Sequence, residues 1–450
     1  MQHIMAQLAY EINWNPDMTR DEYSDALDAV LRRGYGDGWA YIREYIDGIW
    51  QKSQDIAGHC WNCWGFGSID MRFSFAGKDC AVPAGVAHYL EHKMFDLPEG
   101  NAMEQYAEYG GGNNAFTNYT MTAYYVECTD CFEENLKILL RMVTTPYFTD
   151  ESVNKERGII EQEIRMYEDN ADSACFENLF AAMYSRHPAR IPICGSVESI
   201  AEITPETLYA CHKAFYDPGN MMLCVIGDVD AERIAELAKQ YTPAGAQERA
   251  VRDYGAAEDM ACRETSVKKK MEVSMPTFAI GFKCPPAEDG TEAERMDIIG
   301  DLAAELLVGE SSALYQRLYE QGVIDADFSC NFEHMKGLAL LVASGDSETP
   351  ELVLDELLAE AERIAREGVD RAQFERLKKS MLGRRTRDLD SFEGVCYAMC
   401  SCGFEGVEYL DYPALFHAVT PEDVELFVRE NVKKERAALS VIEPANEQRG

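Results

Sequence analysis

The stretch GVAHYLEHKMF, residues 85–95, places His88 and His92 four residues apart in a run with helical spacing. Residues i and i+4 lie on one face of a helix, so both imidazoles can bind the same metal ion. Glu91 directly precedes the second histidine, which is the inverse order of the His-Glu-x-x-His zinc helix. The stretch therefore predicts a metal-binding helix. The alternative interpretation is two structural histidines that lie one turn apart.

A catalytic zinc ion needs a third protein ligand and keeps one position open for water. The predicted helix at 150–168 offers acidic candidates. Glu156 and Glu163 are seven residues apart and share a helix face, whereas Glu161 points elsewhere. Because a charged helix face is usually only solvated, the spacing alone leaves both interpretations of this pair open.

The composition of the chain narrows its class and its partners. Its 450 residues correspond to two or three domains. There are 79 acidic residues and 42 Lys and Arg, which gives a formal net charge of −37. A polyanion of this strength repels phosphate backbones and anionic membrane surfaces, so we expect neither nucleic acid nor membranes as partners. The 15 cysteines are scattered along a long chain, which is typical of reduced thiols and predicts a cytoplasmic location.

The pattern of predicted elements restarts halfway along the chain. Each half closes on a similar apolar strand, at 224–230 and at 439–444. We interpret the chain as a degenerate duplication of one α+β unit. The predicted helices are at 86–95, 131–143, 150–168, 293–307, 311–319, 350–367 and 371–389, and the predicted strands include 119–127, 221–229 and 277–282.

The predicted division of the chain has four parts. They are an atypical helical N-terminal segment (1–64), a zinc-binding domain (65–242), a linker poor in apolar residues (243–270) and a second, non-catalytic domain (271–450).

Three motifs occur in order: the His-x-x-Glu-His helix, the stretch GGNNAFT at 111–117 and the stretch ERGIIEQEI at 156–164. Together they resemble the pitrilysin/insulinase family of zinc peptidases, and in particular its bacterial two-domain members associated with elongation factor P modification. The resemblance extends from about residue 67 to the C terminus. It implies an α+β fold with two homologous domains, each a mostly antiparallel sheet covered by helices.

The resemblance also implies a role for each matching residue. His88 and His92 match the family's zinc ligands, and Glu163 matches its third ligand, so that one zinc ion is expected per chain. Glu91 matches the general base of catalysis. Glu156 matches a neighbouring acid that orients the site.

The resemblance assigns substrate binding to Asn114, Ala115 and Phe116, which match an edge strand whose backbone pairs with an extended substrate. Asn114 is suited to a polar contact with a substrate carbonyl. Because strand addition binds main chain, it accepts many sequences.

The chain is therefore predicted to be a zinc metalloendopeptidase that hydrolyses peptides or unfolded polypeptide segments. In this reaction a zinc-activated water attacks the carbonyl, and Glu91 passes the proton of the water to the leaving amine. Family members often work in pairs, so the resemblance implies a homodimer or a heterodimer with a related, degenerate subunit. Two alternatives remain: a catalytically silent subunit or peptide-binding scaffold, and a fusion whose N-terminal segment binds glycans.

Two features depart from the family pattern. In the second domain, Tyr319 stands where an Arg is expected and Phe328 lies near an expected Tyr. Either this half contributes little to catalysis or a partner subunit supplies those groups. In addition, residues 2–52 have helical spacing where family members begin with strands, and we predict that residues 1–55 pack loosely on the rest.

Overall fold

A computed structural model describes residues 58–242, 249–287 and 290–445. They form two similar units, each with a mainly antiparallel sheet and helices on both faces. The predicted α+β fold with two similar halves is therefore confirmed. The helices predicted for residues 2–52, and the loose packing predicted for residues 1–55, lie outside the described residues.

Fourteen strands occur in these residues. They are β1 (Gly58–Trp64), β2 (Arg72–Phe75), β3 (Lys78–Ala81), β4 (Asp96–Leu97), β5 (Gly100–Asn101), β6 (Gly112–Thr117), β7 (Thr122–Cys128), β8 (Met221–Ile226), β9 (Val251–Arg252), β10 (Ser266–Met271), β11 (Thr277–Cys284), β12 (Ser329–Met335), β13 (Leu338–Asp346) and β14 (Ala437–Pro444).

Fifteen α-helices occur in the same described part of the chain. They are α1 (Val86–Lys93), α2 (Ala102–Glu108), α3 (Phe132–Thr144), α4 (Asp150–Asp169), α5 (Ala171–Met183), α6 (Val197–Ala201), α7 (Pro205–Phe215), α8 (Ala231–Tyr241), α9 (Thr291–Val308), α10 (Ala313–Glu320), α11 (Pro350–Glu367), α12 (Arg371–Asp388), α13 (Phe392–Glu405), α14 (Tyr412–Ala418) and α15 (Pro421–Asn431).

The first sheet has the strand order β6-β7-β1-β8, with antiparallel neighbours throughout. β1 lies inside this sheet and is buried along its whole length. Cys60 and Trp64 belong to the core that also contains α1 and α3, whereas Trp61 and Cys63 belong to a separate apolar cluster. The predicted N-terminal helical segment, residues 1–64, is therefore wrong at its end, because residues 58–64 form a strand of the first sheet.

The second sheet repeats the arrangement of the first. Its order is β10-β14-β11-β13-β12, in which β12-β13-β11-β14 corresponds to β6-β7-β1-β8. The additional strand, β10, pairs in parallel with β14. Within the described ranges, β8 has no outer neighbour equivalent to β10. The predicted linker, 243–270, is also partly wrong, because it contains β9, which pairs with β2, and most of β10.

The two units exchange helices. α5, which follows the first unit's α4, packs on β11 and β14 of the second sheet, and α13 of the second unit packs on β1 and β8 of the first. The contacts are close on both sides: a Cβ on Gly281 would lie 2.3 Å from Met183 Sδ, and a Cβ on Gly403 would lie 2.4 Å from Met222 Cε. Each unit therefore covers one face of the other unit's sheet.

Candidate metal centre

The helix α1 begins directly after Gly85, whose φ of 86° lies in the left-handed region. A Cβ at this position would lie 2.4 Å from the carbonyl oxygen of Cys194. Only glycine combines this φ with so close a backbone approach. This local geometry sets the start of the helix that carries His88, Glu91 and His92.

We expect Gly85→Ala to lower the free energy of unfolding by about 2–5 kcal/mol, because a left-handed φ costs about 1–2 kcal/mol and overpacking about 1–3 kcal/mol. Gly77→Ala is the matched control. Gly77 has a φ of 69° but nothing within 4 Å of an added Cβ. The variant Gly77→Ala should therefore lose only the part of the unfolding free energy that comes from the left-handed φ. Urea unfolding of both variants measures the difference, and equal losses would show that the contact with Cys194 does not matter.

The helix α4 supplies the acidic residues from the opposite side. A capping box fixes its start: Thr149 Oγ1 accepts a hydrogen bond from Ser152 N at 3.1 Å, and Ser152 Oγ accepts one from Thr149 N at 3.2 Å. The Tyr89 hydroxyl of α1 donates to the carbonyl oxygen of Val153 in α4. These contacts fix the two helices relative to each other.

The structure brings His88, His92 and Glu163 together. His88 Nε2 lies 3.5 Å from Glu163 Oε1, and His92 Nε2 lies 3.4 Å from Glu163 Oε2. One ligand atom from each of the three residues lies within 4.8 Å of the others. His88 is buried, and the side chains of His92 and Glu163 are about one-fifth exposed, at 22% and 23%. The group is therefore partly accessible from solvent.

These distances fit a zinc ion. Two ligand atoms about 2.1 Å from one ion at a tetrahedral angle lie about 3.4 Å apart. The separations of 3.4 and 3.5 Å agree with this value and are too long for strong hydrogen bonds. Two imidazoles and one carboxylate are a common ligand set of catalytic zinc and leave a fourth position open. His88, His92 and Glu163 would hold the ion.

Glu156 contacts His92 but is not one of the three candidate ligands His88, His92 and Glu163, which we call the metal group. Its Oε1 lies 3.0 Å from His92 Nδ1, which leaves Nε2 of that ring for the metal. Burial alone would lower the pKa of His92, but hydrogen bonds to Glu156 and Glu163 raise it to about 10. His92 in turn lowers the pKa of Glu156, and His88 and His92 lower the pKa of Glu163. The carboxylates of Glu156 and Glu163 therefore stabilise a positive charge at the imidazoles, carried by either a proton or a metal ion.

Glu91 is the buried carboxyl next to the group. It is 7% exposed, and burial raises its pKa above the ordinary value. Its Oε2 accepts a hydrogen bond from Thr117 Oγ1 at 2.7 Å. A raised pKa and a fixed orientation are the properties that a general base near neutral pH needs.

The predicted substrate strand, residues 114–116, lies in β6, at the edge of the first sheet. Within the described residues β6 pairs only with β7. Ala115 packs towards the core beneath α1, whereas Phe116 packs in the other cluster, with its ring 5.6 Å from Trp61. Asn114 is exposed, and its Oδ1 accepts a hydrogen bond from Ala115 N at 2.9 Å. The three residues are therefore positioned at an edge, but their side chains do not share a face.

Two further residues near the group have no role predicted from the sequence. Thr117 orients Glu91, and Cys194 Sγ lies 3.9 Å from His88 Nε2. Thr117 could have been found, because it is two residues from Ala115 and therefore on the same face of β6. No local pattern points to Cys194, which lies in a loop far along the chain.

The two residues that depart from the family pattern, Tyr319 and Phe328, lie in different environments in the second unit. Phe328 is buried in the core of that unit, with its ring 6.0 Å from that of Phe278. Tyr319 is half-exposed and stacks on Tyr315 with a ring separation of 5.9 Å. Phe328 is thus a packing residue, while Tyr319 is accessible to a ligand or partner.

Comparison with known proteins agrees with this geometry. The profile of the family described as "Insulinase (Peptidase family M16)" matches residues 79–196, and that described as "Peptidase M16 inactive domain" matches residues 202–381. A Bacillus subtilis protein named zinc protease YmfH, itself uncharacterized, is 34% identical over 386 residues, which cover 84% of this chain and 90% of that protein. The chain belongs to peptidase family M16.

Solved structures of family M16 share the fold. A crystal structure described as that of an M16-like peptidase from Alicyclobacillus acidocaldarius superposes with a TM-score of 0.83 at 29% identity, covering 86% of this chain and 93% of the other. Pitrilysin superposes with a TM-score of 0.68 at 15% identity, covering 88% of this chain and 43% of pitrilysin. The predicted resemblance to the pitrilysin/insulinase family is therefore confirmed.

The two family M16 profiles meet near residue 200, inside the first unit, because the inactive-domain match begins at residue 202, before β8 of the first sheet. The Insulinase match contains the whole metal group, and the inactive-domain match includes α9 to α11 and most of α12. Among the described helices, none combines the length and the apolar character needed to cross a membrane.

Proposed function

We propose that the chain is a zinc-dependent endopeptidase that hydrolyses peptides or unfolded polypeptide segments. The convergence of His88, His92 and Glu163, with the buried carboxyl of Glu91 beside them, is the observation that carries the proposal. Membership of family M16, with relatives named zinc proteases, supports it.

The residues of the chain have separable roles in the proposed reaction. Zinc, when bound, would polarise the scissile carbonyl and acidify water. Glu91 would accept the proton of the attacking water and deliver it to the leaving amine. Thr117 would hold Glu91 in position, and Glu156 would orient His92. No covalent intermediate is needed, so no cysteine or serine acts as a nucleophile.

The proposed substrate binds as an extended strand along β6. The strand is at a sheet edge, and Thr117 at its end contacts Glu91, so a peptide paired with β6 would run towards the metal group. The Ala115 N–H is bonded to the Asn114 side chain, and a substrate carbonyl that takes this N–H must displace it. Main-chain pairing explains why we expect unfolded segments rather than folded proteins.

We further propose that the chain works in the cytoplasm as a homodimer or with a related subunit. All 15 cysteines lie in the described residues and none of them forms a disulfide there, which fits a reducing compartment. A second subunit would supply groups that this chain lacks where Tyr319 and Phe328 stand.

Metal removal tests the proposal. We expect the wild-type chain to cleave an unstructured peptide mixture, to lose this activity in a strong chelator, and to regain it when Zn²⁺ is added back. Mass spectrometry of the peptides and elemental analysis of the protein measure the two quantities. Mg²⁺ is the control, because it prefers oxygen ligands and should not restore cleavage.

The same measurements distinguish the alternative of a silent subunit. A chain that binds one zinc ion but does not cleave, alone or mixed with a candidate partner, would favour a peptide-binding scaffold. A chain that does not bind zinc would contradict the proposed ligand set itself.

A further inference from the structure

A second group of possible metal ligands lies in the second unit. Asp297 of α9, His334 of β12 and Glu405, the last residue of α13, each offer one ligand atom, and these atoms lie within 4.8 Å of one another. The Nδ1 of His334 is 3.8 Å from Asp297 Oδ1. Three separate elements therefore bring one imidazole and two carboxylates to a single point.

The burial of the group suits an ion rather than a solvated surface patch. The side chain of His334 is only 4% exposed, while that of Asp297 is 36% exposed. The imidazole is thus held inside the protein, and the carboxylate leaves a route for an ion to enter. An exposed acidic patch without a buried histidine would not have this arrangement.

Negative charge accumulates around the group. The carboxyl groups of Glu405, Glu294, Asp301 and Glu333 lie near enough to Asp297 to interact with it electrostatically. Glu333, Glu294 and Glu305 act on Asp301 in the same way, and Arg385 offsets part of this negative charge. A bound cation would relieve this repulsion.

The position of Glu405 adds an independent argument. It ends α13, where the backbone carbonyls already carry partial negative charge, so that an acidic residue there is unfavourable. A cation bound between Glu405, Asp297 and His334 would convert this unfavourable contact into a favourable one.

We propose that Asp297, His334 and Glu405 form a second divalent metal site, distinct from the group on α1 and α4. One imidazole with two carboxylates suits Zn²⁺ or Mn²⁺ better than Mg²⁺ or Ca²⁺, which prefer oxygen ligands alone. The inference does not depend on the proposed peptidase activity.

The elements that supply the ligands indicate a structural role. All three elements belong to the second unit, but α13 packs on the first sheet. An ion in this site would therefore tie the covering helix to α9 and β12 of its own unit, and binding would stabilise the folded chain.

Metal counting with paired variants of the full chain tests the site. After equilibration with Zn²⁺ or with Mn²⁺ and removal of free metal, elemental analysis should find two ions in the wild type. Asp297→Asn should retain one and bind the second at least 10-fold more weakly by calorimetry. The matched control is Asp301→Asn, one helical turn away. Because it removes a charge but no ligand, the affinity for the second ion should change by less than about 3-fold. The variant His88→Gln should keep the second site.

Thermal unfolding with and without metal is a second measurement, and it distinguishes loss of the metal site from a general loss of stability. Without metal, Glu405→Gln should raise the Tm, because it removes a negative charge from a helix C terminus. With saturating Zn²⁺ or Mn²⁺ it should lower the Tm relative to the wild type. One ion in the wild type, equal effects of Asp297→Asn and Asp301→Asn, or a Tm difference unchanged by metal would each overturn the proposal.

Discussion

Glu91→Gln should reduce peptide cleavage by about 1000-fold while leaving the zinc content unchanged, because a general base typically contributes 10²–10⁴-fold. Glutamine has the same shape as glutamate but cannot accept the proton of the attacking water. Its side-chain oxygen can still accept the hydrogen bond from Thr117, so the local packing should be retained. Peptide cleavage rates and elemental analysis of the same protein batches measure the two effects.

The matched control for Glu91 is Glu161→Gln. Glu161 belongs to α4 but not to the metal group, so its neutralisation changes the charge of the region without touching the chemistry. We expect cleavage within about 2-fold of the wild type, since isolated charges near a surface have small effects. More than a tenth of wild-type activity in Glu91→Gln would assign the general base to another group, and loss of zinc would make Glu91 a ligand.

The second large effect concerns metal affinity. Glu163→Gln should weaken zinc binding by more than about 100-fold, because it replaces a charged ligand by a neutral amide. Glu156→Gln should weaken it by about 10–100-fold, the usual cost of losing a group that orients a ligand histidine. Glu161→Gln should leave the affinity unchanged. Competition with a chromogenic chelator at fixed pH gives the three values.

The order of the three affinities matters more than their absolute size. If Glu156→Gln binds zinc as weakly as Glu163→Gln, then Glu156 is itself a ligand and the assignment of the third position is wrong. If neither change affects the affinity, the ion is held elsewhere. Circular dichroism of each variant checks that the helix α4 is retained.

The metal helix could be predicted from the sequence because its information is local. His88 and His92 meet through helical spacing alone. The contact of both with Glu163 could not be predicted in this way, because it depends on the packing of two helices separated by over fifty residues. Only the resemblance to a family assigns Glu163 as the third ligand, and its carboxylate oxygens lie 3.5 and 3.4 Å from Nε2 of His88 and His92.

The features that the sequence does not predict correctly also have physical causes. The sequence places β1 in a helical segment because a strand buried on both faces lacks the alternation that identifies a half-exposed strand. No sequence pattern indicates the group of Asp297, His334 and Glu405, because its members come from three elements and no spacing links them. Lone acidic residues and a lone histidine in a sequence are ordinarily structural or solvated.

The exchange of α5 and α13 between the two units has a mechanical consequence. A hinge motion that separated the units would expose the inner apolar faces of both sheets at once, including Ala279 against α5 and Cys396 against the first sheet. That exposure opposes opening, so the chain should move as one rigid body. The proposed peptide substrate would then reach the metal group along the edge of β6 that no described strand covers, or through the gap between the two chains of the proposed dimer, and not through a cleft that opens within one chain.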